Sequence, residues 1–160
     1  MHNGLAFLVI ATITSEAAMG DSPAEVVAKL DSAEALWNRT EPSAYAFRVT
    51  FRGMVRPADC MDGFLAVVAA GVSQDLQGCE SVRADYDTIP ALFRLIRAEL
   101  SQAPEEVDVK FDQSYGYPIE FYVNPRKDIH DEESGFAIRD FKCNTRTAPP
   151  NTSLERTREE

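Results

Sequence analysis

Three cysteines are the residues of this sequence with the clearest covalent chemistry, and their pairing depends on how the chain folds around them. Cys60 and Cys79 flank a predicted hairpin whose turn lies near Ala70-Gly71, so the two thiols come within about two residues of opposite register. In an oxidising compartment they can bond if their Cα atoms approach to roughly 4.4–6.8 Å. Cys143 is then the unpaired cysteine. The other two pairings, and three free thiols, remain open at this point.

A run of carboxylates precedes the last predicted strand. Asp128, Asp131, Glu132 and Glu133 are close enough in the chain to offer oxygen ligands to a calcium ion. They lack the Asp-x-Asp-x-Asp-Gly order of a calcium loop, and such a run on an acidic protein is usually a solvated loop. His130 lies within the run, but one imidazole without a Cys/His cluster is poor evidence for zinc. We therefore predict no metal site, and name Asp128, Asp131 and Glu133 as the weak candidate ligands.

Catalysis by a nucleophile would have to use His130, the only histidine beyond residue 2. Folding would need to bring Cys143 or a serine to its imidazole. Ser114 lies in Gln-Ser-Tyr-Gly and not in a Gly-x-Ser-x-Gly elbow, and the sequence has no Gly-rich phosphate loop. We predict no catalytic residue and no cofactor. A metal-dependent or hydrolytic enzyme that uses His130 and the acidic loop 128–133 is kept as the alternative.

Two tyrosines, Tyr115 and Tyr117, flank Gly116 in a predicted turn. Exposed tyrosines can anchor a protein interface, because each offers a large apolar ring with a polar tip. In many turns of this kind the rings pack over the sheet edge instead. Tyr115 and Tyr117 are therefore weak candidate binding residues.

Two helices are expected to position these groups. Ser22-Pro23-Ala24-Glu25 has the pattern of a capping box with proline in the first turn, and predicts a helix over 23–38. Asp87-Thr88 can cap a second helix, which Pro104 ends. Each helix has one apolar stripe at steps of four, three and four residues: Val26, Leu30, Ala33 and Trp37 in the first, and Ile89, Phe93, Ile96 and Leu100 in the second.

Six strand segments complete the expected fold. Residues 45–51 alternate between apolar and polar side chains, which is typical of a strand with one buried face. Residues 63–70 are apolar on both faces and predict a central strand. The remaining segments are 72–76, 107–111, 119–123 and 136–141. Short connections favour antiparallel pairing. We predict a single α+β domain, with two helices on one face of a mainly antiparallel sheet of about five to six strands.

The amino terminus predicts export. Residues 5–13 (LAFLVIATI) are apolar but too short to span a bilayer, and Ala18-Met19-Gly20 offers a signal-peptidase site. We predict a signal peptide over 1–20, the folded domain over 21–142 and a disordered tail over 143–160. The periplasmic or extracellular location that follows permits disulfides. Because no Lys or Arg precedes the apolar run, a buried strand or a misplaced start codon is the alternative.

The charge balance restricts the partners. The chain has 160 residues, of which 26 are acidic and 16 basic, and its formal net charge is −10. An acidic chain without a Lys/Arg cluster in its sequence disfavours nucleic acid and anionic membranes as partners. No segment is long enough to be a membrane span. The oligomeric state is not predicted.

Several segments together resemble a known family. In order along the chain they are Leu36-Trp37, Tyr45-Ala46-Phe47, Asp87-Thr88-Ile89, Leu92-Phe93, Phe111-Asp112 and Tyr115-Gly116-Tyr117-Pro118, followed by the acidic run. The pattern is similar to that of the small exported bacterial proteins of domain-of-unknown-function family 6174, over about residues 26–141. The resemblance implies an exported single domain and no mechanism. The chain departs from the family's usual close cysteine pair after the first strand, because it has only Cys60 there.

These observations favour a non-enzymatic exported domain that binds a protein or envelope component through its sheet face or its loops. Likeness to small periplasmic binding modules is an analogy of fold only. A further alternative is a stable secreted domain whose tail does the binding.

Overall fold

The computed structural model describes residues 22–53, 60–74, 79–81, 83–129 and 131–143. The predicted signal peptide, residues 144–160 of the predicted tail and His130 lie outside these ranges. The helices are α1 (Pro23–Thr40), α2 (Arg83–Tyr86) and α3 (Ile89–Ser101). The strands are β1 (Ala44–Gly53), β2 (Phe64–Ala69), β3 (Val72–Ser73), β4 (Glu106–Phe111), β5 (Pro118–Asn124) and β6 (Ser134–Cys143).

Both predicted helices are present and begin at the predicted caps. The Ser22 amide donates to the Glu25 carboxylate at 2.8 Å, and the Glu25 amide donates back to the Ser22 hydroxyl, which satisfies two free donors of the first turn of α1. Thr88 caps α3 by accepting from the amide of Ala91. The predicted stripe of α1 is buried along its length: Val26, Leu30, Ala33 and Trp37. On α3 the predicted residues Ile89, Phe93 and Ile96 are buried, whereas the fourth, Leu100, is only partly buried.

The four-residue helix α2 was not expected from the sequence. It is about one turn long, and one turn is too short to show a repeating apolar pattern. Its Tyr86 ring stands edge-on to Phe51 and to Phe136, at centroid distances of 5.0 and 5.8 Å. Helix α2 therefore places an aromatic side chain over the sheet before α3 begins.

The six strands form one sheet in the order β3-β2-β1-β6-β5-β4, and every neighbouring pair is antiparallel. The chain builds β1 to β3 as successive neighbours and then crosses through the helices to the far edge. Strands β4 and β5 follow there, and β6 returns to pair with β1. The predicted α+β fold, with helices on an antiparallel sheet, is confirmed.

Within the described ranges, the helices cover one face of the sheet and no helix covers the other. Helix α1 packs against β4, and α3 against β5. Phe47 and Val49 of β1, Phe121 of β5 and Phe136 of β6 are buried beneath them. Because side chains alternate along a strand, the intervening residues point away from the helices. This second side of the sheet is called the open face below.

The segment 63–70 was predicted to be a central strand, and this prediction holds only in part for β2. It is second from the edge, and it buries Phe64, Ala66 and Val68 on the helix side only. On the open face Leu65 is 45% exposed and Val67 is 36% exposed. The second apolar face of β2 is therefore a surface feature.

Candidate functional site

Charged side chains from four strands meet at the middle of the open face. Glu120 of β5 lies opposite Lys110 of β4, and Arg48 of β1 lies opposite Arg139 of β6. The Glu120 carboxylate accepts from Arg52 at 2.8 Å, from Lys110 at 3.0 Å and from Arg139 at 3.4 Å. Antiparallel register brings these residues together although they are far apart in the chain.

We call this group the basic cluster: Arg48, Arg52, Lys110 and Arg139 with the carboxylates of Glu120 and Asp140. Arg48 lies 3.8 Å from Asp140. The hydrogen bond from Lys110 is the main cause that lowers the pKa of Glu120, and the same bond raises the pKa of Lys110. The Asp108 carboxylate on the same face of β4 also interacts with Lys110. Four cations against three carboxylates leave a local excess of one positive charge on a chain whose net charge is −10.

An apolar area adjoins the basic cluster on the side of β2. Leu65 lies opposite Arg48, and Val67 lies opposite Ala46. Val72 of β3 is opposite Ala69 and is also exposed. We call Ala46, Leu65, Val67 and Val72 the apolar strip. In an antiparallel pair, opposite Cβ atoms are about 4.5–5.5 Å apart, so the apolar strip and the guanidinium of Arg48 form one continuous surface.

A shallow groove lies at one end of the apolar strip. The register of β1 with β6 shifts between Ala46 and Arg48, and Asp140 has a left-handed φ of 53° there. Such a bulge bends the strand and separates it from its partner. The groove has a volume of about 290 Å³. It is lined by Ala44, Tyr45, Ala46, Val67, Val68, Ala69, Lys142 and Cys143.

The family model of DUF6174, a family of unknown function, matches residues 29–143. The chain belongs to this family. The matched range begins within α1 and ends with β6, so it includes the whole sheet and the open face. No curated protein and no solved structure matches the chain. The DUF6174 assignment confirms the resemblance found in the sequence, and it carries no activity.

The two cysteines predicted to pair form a disulfide in this DUF6174 domain. Cys60 and Cys79 are bonded, with their Cα atoms 4.6 Å apart. The β2–β3 turn between them places Ala70 and Gly71 at φ values of 51° and 73°, the left-handed pair that a two-residue hairpin needs. Both cysteines are buried in the core. Cys143 is a free thiol, and its sulfur lies 3.2 Å from the Tyr115 hydroxyl.

The candidate binding residues Tyr115 and Tyr117 pack against the end of β6. The Tyr117 ring stacks on Phe141 at 4.3 Å, and the Tyr115 ring lies 5.6 Å from it. The Asp112 carboxylate orders this turn by accepting from the Tyr115 amide at 2.7 Å. Burial raises the pKa of Tyr117, and the contact with Cys143 raises that of Tyr115. Both tyrosines are partly buried, so neither ring stands free in solvent.

The candidate metal ligands are distributed around the β5–β6 connection. Asp128 is paired with Arg126 at 2.9 Å, and the Glu133 carboxylate accepts from the amide of Asp131 at 3.2 Å. Across the described ranges, no three Cys, His, Asp or Glu side chains are grouped closely enough to hold a metal ion. His130 is outside those ranges, so the enzyme alternative stays a prediction. The helices of the described chain include none that is long and apolar enough to cross a membrane.

The open face was indicated in part by the alternation within β1, but the charged group at its centre was not predicted. The alternation in β1 places Arg48 and Arg52 on the side away from the core. Nothing in the sequence pairs them with Glu120, since that contact depends on the register of β6 between β1 and β5. The absence of a Lys/Arg cluster along the sequence therefore did not mean its absence in space.

Proposed function

We propose that this protein is an exported, non-enzymatic binding module that recognises a protein or another envelope component through the open face of its sheet. One observation carries the proposal: among the residues that the structure describes, no helix covers the second face of the sheet, and that face presents the basic cluster beside the apolar strip. Protein interfaces combine apolar contact with arginine in this way, and exposed apolar side chains that lie together are typical of interaction sites.

The size of the open face supports a macromolecular ligand. Six strands at about 4.8 Å spacing give a width of about 24 Å, and the seven residues of β5 give a length of about 23 Å. The projected area is about 550 Å², and the side chains standing on it expose more. Each partner in a standard protein interface contributes about 800 Å². The open face therefore approaches the area that a specific protein interface needs.

Export is supported by the predicted signal peptide and is compatible with the buried disulfide. Structural disulfides persist in oxidising compartments and are rare in the cytosol. Expression of the whole coding sequence, cell fractionation and amino-terminal sequencing test this part. We expect the protein in the periplasm or medium, beginning at Asp21. A cytoplasmic protein that retains residues 1–20 would contradict export.

Site-specific photo-crosslinking in the producing cell tests the binding face. A photoreactive phenylalanine analogue replaces Leu65 on the open face in one variant and Val27 on α1 in the other. The two positions are matched, because Leu65 is 45% exposed and Val27 is 40% exposed. We expect a discrete covalent adduct from position 65 and none from position 27. Equal adducts from both positions, or none from position 65, would contradict binding through the open face.

A further inference from the structure

We propose that the occupant of the open face is an extended acidic polypeptide segment, whose apolar side chain contacts the apolar strip while its carboxylates bind Arg48, Arg52 and Arg139. This inference rests on the proposed function and specifies the chemistry of its ligand.

The exposure of the three arginines and their few hydrogen-bond partners favour carboxylates as ligands. Arg48, Arg52 and Arg139 each contact a single carboxylate within the described part of the chain, whereas a guanidinium has five N–H donors in a planar fork that suits a carboxylate. All three side chains are about half exposed. A ligand carboxylate can therefore bind them without displacing Glu120 or Asp140.

Charge complementarity also argues against a basic ligand. The basic cluster, counted with the neighbouring Asp108, carries a local excess of one positive charge, while the chain as a whole is acidic. An acidic segment is attracted to the cluster and repelled by most of the remaining surface, which favours one docking place over others. An anionic bilayer would have to approach the whole acidic molecule, so its long-range repulsion is greater than that of a short peptide.

The distances from the groove to Arg48 and to Arg52 favour an extended chain over a small anion as the ligand. Along β1, the groove beside Ala46 is about 7 Å from Arg48 and about 20 Å from Arg52, at about 3.3 Å per residue. An extended ligand that puts an apolar side chain in the groove reaches these arginines with carboxylates two and six residues later. Those residues face the same side, because side chains alternate. A free phosphate or acetate could not contact both ends.

The probe that follows from this spacing is the labelled peptide Gly-Leu-Ser-Glu-Ser-Glu-Ser-Glu-Gly, blocked at both ends. Two comparison peptides replace all three glutamates by lysine, or the leucine by serine. Binding is measured by fluorescence anisotropy with the processed full chain at low ionic strength. We expect saturable binding of the glutamate peptide, weaker binding without the leucine and none of the lysine peptide. Added salt weakens the binding, because exposed charge pairs are screened.

Matched variants locate the binding. Arg48→Gln and Arg52→Gln are each expected to lower the affinity for the glutamate peptide about two- to fivefold, which is the range for the loss of one exposed ion pair. Arg94→Gln, on the exposed side of α3, leaves the affinity unchanged. Leu65→Ser weakens binding and Val27→Ser does not. A thermal melt of each variant, followed by the fluorescence of Trp37, shows that the fold is retained.

Three outcomes would overturn the inference: equal affinity for the lysine peptide, no binding of the glutamate peptide, or the same loss in the Arg94→Gln protein. Binding to phosphatidylglycerol vesicles without peptide binding would identify a membrane as the occupant instead. The photo-crosslinking experiment separates the two proposals. An adduct at position 65 with no acidic-peptide binding leaves the open face as a binding site with a different ligand, whereas no adduct removes both.

Discussion

Removal of the Cys60–Cys79 disulfide should cost a large part of the stability of this domain. The bond joins residues 19 positions apart, and closing a loop of that length in the unfolded chain corresponds to about 3 kcal/mol in the chain-entropy account. Both cysteines are buried in the core cluster, so alanine at the two positions also loses some packing. We expect the Cys60→Ala/Cys79→Ala protein to lose about 3 kcal/mol or slightly more in free energy of unfolding.

Urea unfolding followed by fluorescence measures this loss directly. Trp37 is the only tryptophan in the chain and is fully buried, so its emission reports unfolding of the core. For a domain of about 120 residues, 3 kcal/mol corresponds to a melting temperature lower by about 12 °C. A reducing agent strong enough to open the bond in the unfolded chain should destabilise the wild type by a similar amount and leave the double variant unchanged.

The free cysteine provides the matched control. Cys143→Ser removes a thiol without touching the disulfide, so its stability should respond to the reducing agent as the wild type does. A double alanine variant within about 0.5 kcal/mol of the wild type, the usual range for a neutral surface substitution, would refute the argument. It would mean that the loop is already constrained in the unfolded chain.

Three further predictions concern backbone geometry and charge. Gly116 has a φ of 84°, and a Cβ there would overlap the carbonyl oxygen of Ala33; Gly116→Ala should therefore cost more than the roughly 1–2 kcal/mol of a left-handed alanine, as measured by urea unfolding. The hydrogen bond from Lys110 and the neighbouring arginines lower the pKa of Glu120 below its ordinary value of 4.5 in the folded protein. The ionised Glu120 side chain therefore stabilises the fold above pH 4.5, and this stabilisation is lost as the pH falls through the pKa of the folded state. Glu120→Gln should remove that loss from an acid-unfolding curve. Burial raises the pKa of Tyr45 and Tyr86 to about 12; stability should therefore fall between about pH 10 and 12, as measured by tyrosine absorbance and Trp fluorescence.

Controls separate these effects from general fragility. Gly71 also has a positive φ, of 73°, but a Cβ there would meet no atom within 4 Å. Gly71→Ala should therefore lose only the roughly 1–2 kcal/mol that a left-handed alanine costs. Equal losses at Gly71 and Gly116 would contradict the steric argument. A Glu120→Gln protein with the wild-type acid profile would contradict the electrostatic one. If all tyrosines titrate near pH 10 in the folded protein, burial does not protect Tyr45 and Tyr86.

The elements of the fold were predictable where a signal is local. The Ser22 and Thr88 caps marked the start of both long helices, and the alternation around Phe47 marked β1 and its buried face. The predicted hairpin made the Cys60–Cys79 bond possible but did not exclude the other pairings, and the structure shows that this pair is bonded. In each case the interacting groups are near one another in the chain, so the sequence contains most of the geometry.

The open face was predictable only in part, because its centre depends on distant pairings. Strand β6 inserts between β1 and β5 after a crossover through the helices, and this order brings Arg48 next to Arg139. The exposed position of Leu65 was hidden for a related reason. A strand that is apolar on both faces can lie in the middle of a sheet with both faces covered, or it can leave one apolar face exposed. The sequence of the strand is the same in both cases, and only the placement of the helices distinguishes them.

The adjacency of Arg48 and Leu65 has a consequence besides ligand binding, since exposed aliphatic side chains near a sheet edge favour self-association unless a charge interrupts them. Arg48 lies opposite Leu65 and separates the apolar strip from the rest of the open face. Arg48→Leu should therefore extend the strip and promote concentration-dependent association, measured by light scattering. A second substitution, Leu65→Ser, should reverse it, whereas Val27→Ser on α1 should not. If the Arg48→Leu protein stays as monodisperse as the wild type at every concentration, the charge of Arg48 does not prevent self-association. Its position beside Leu65 is then explained by ligand binding alone.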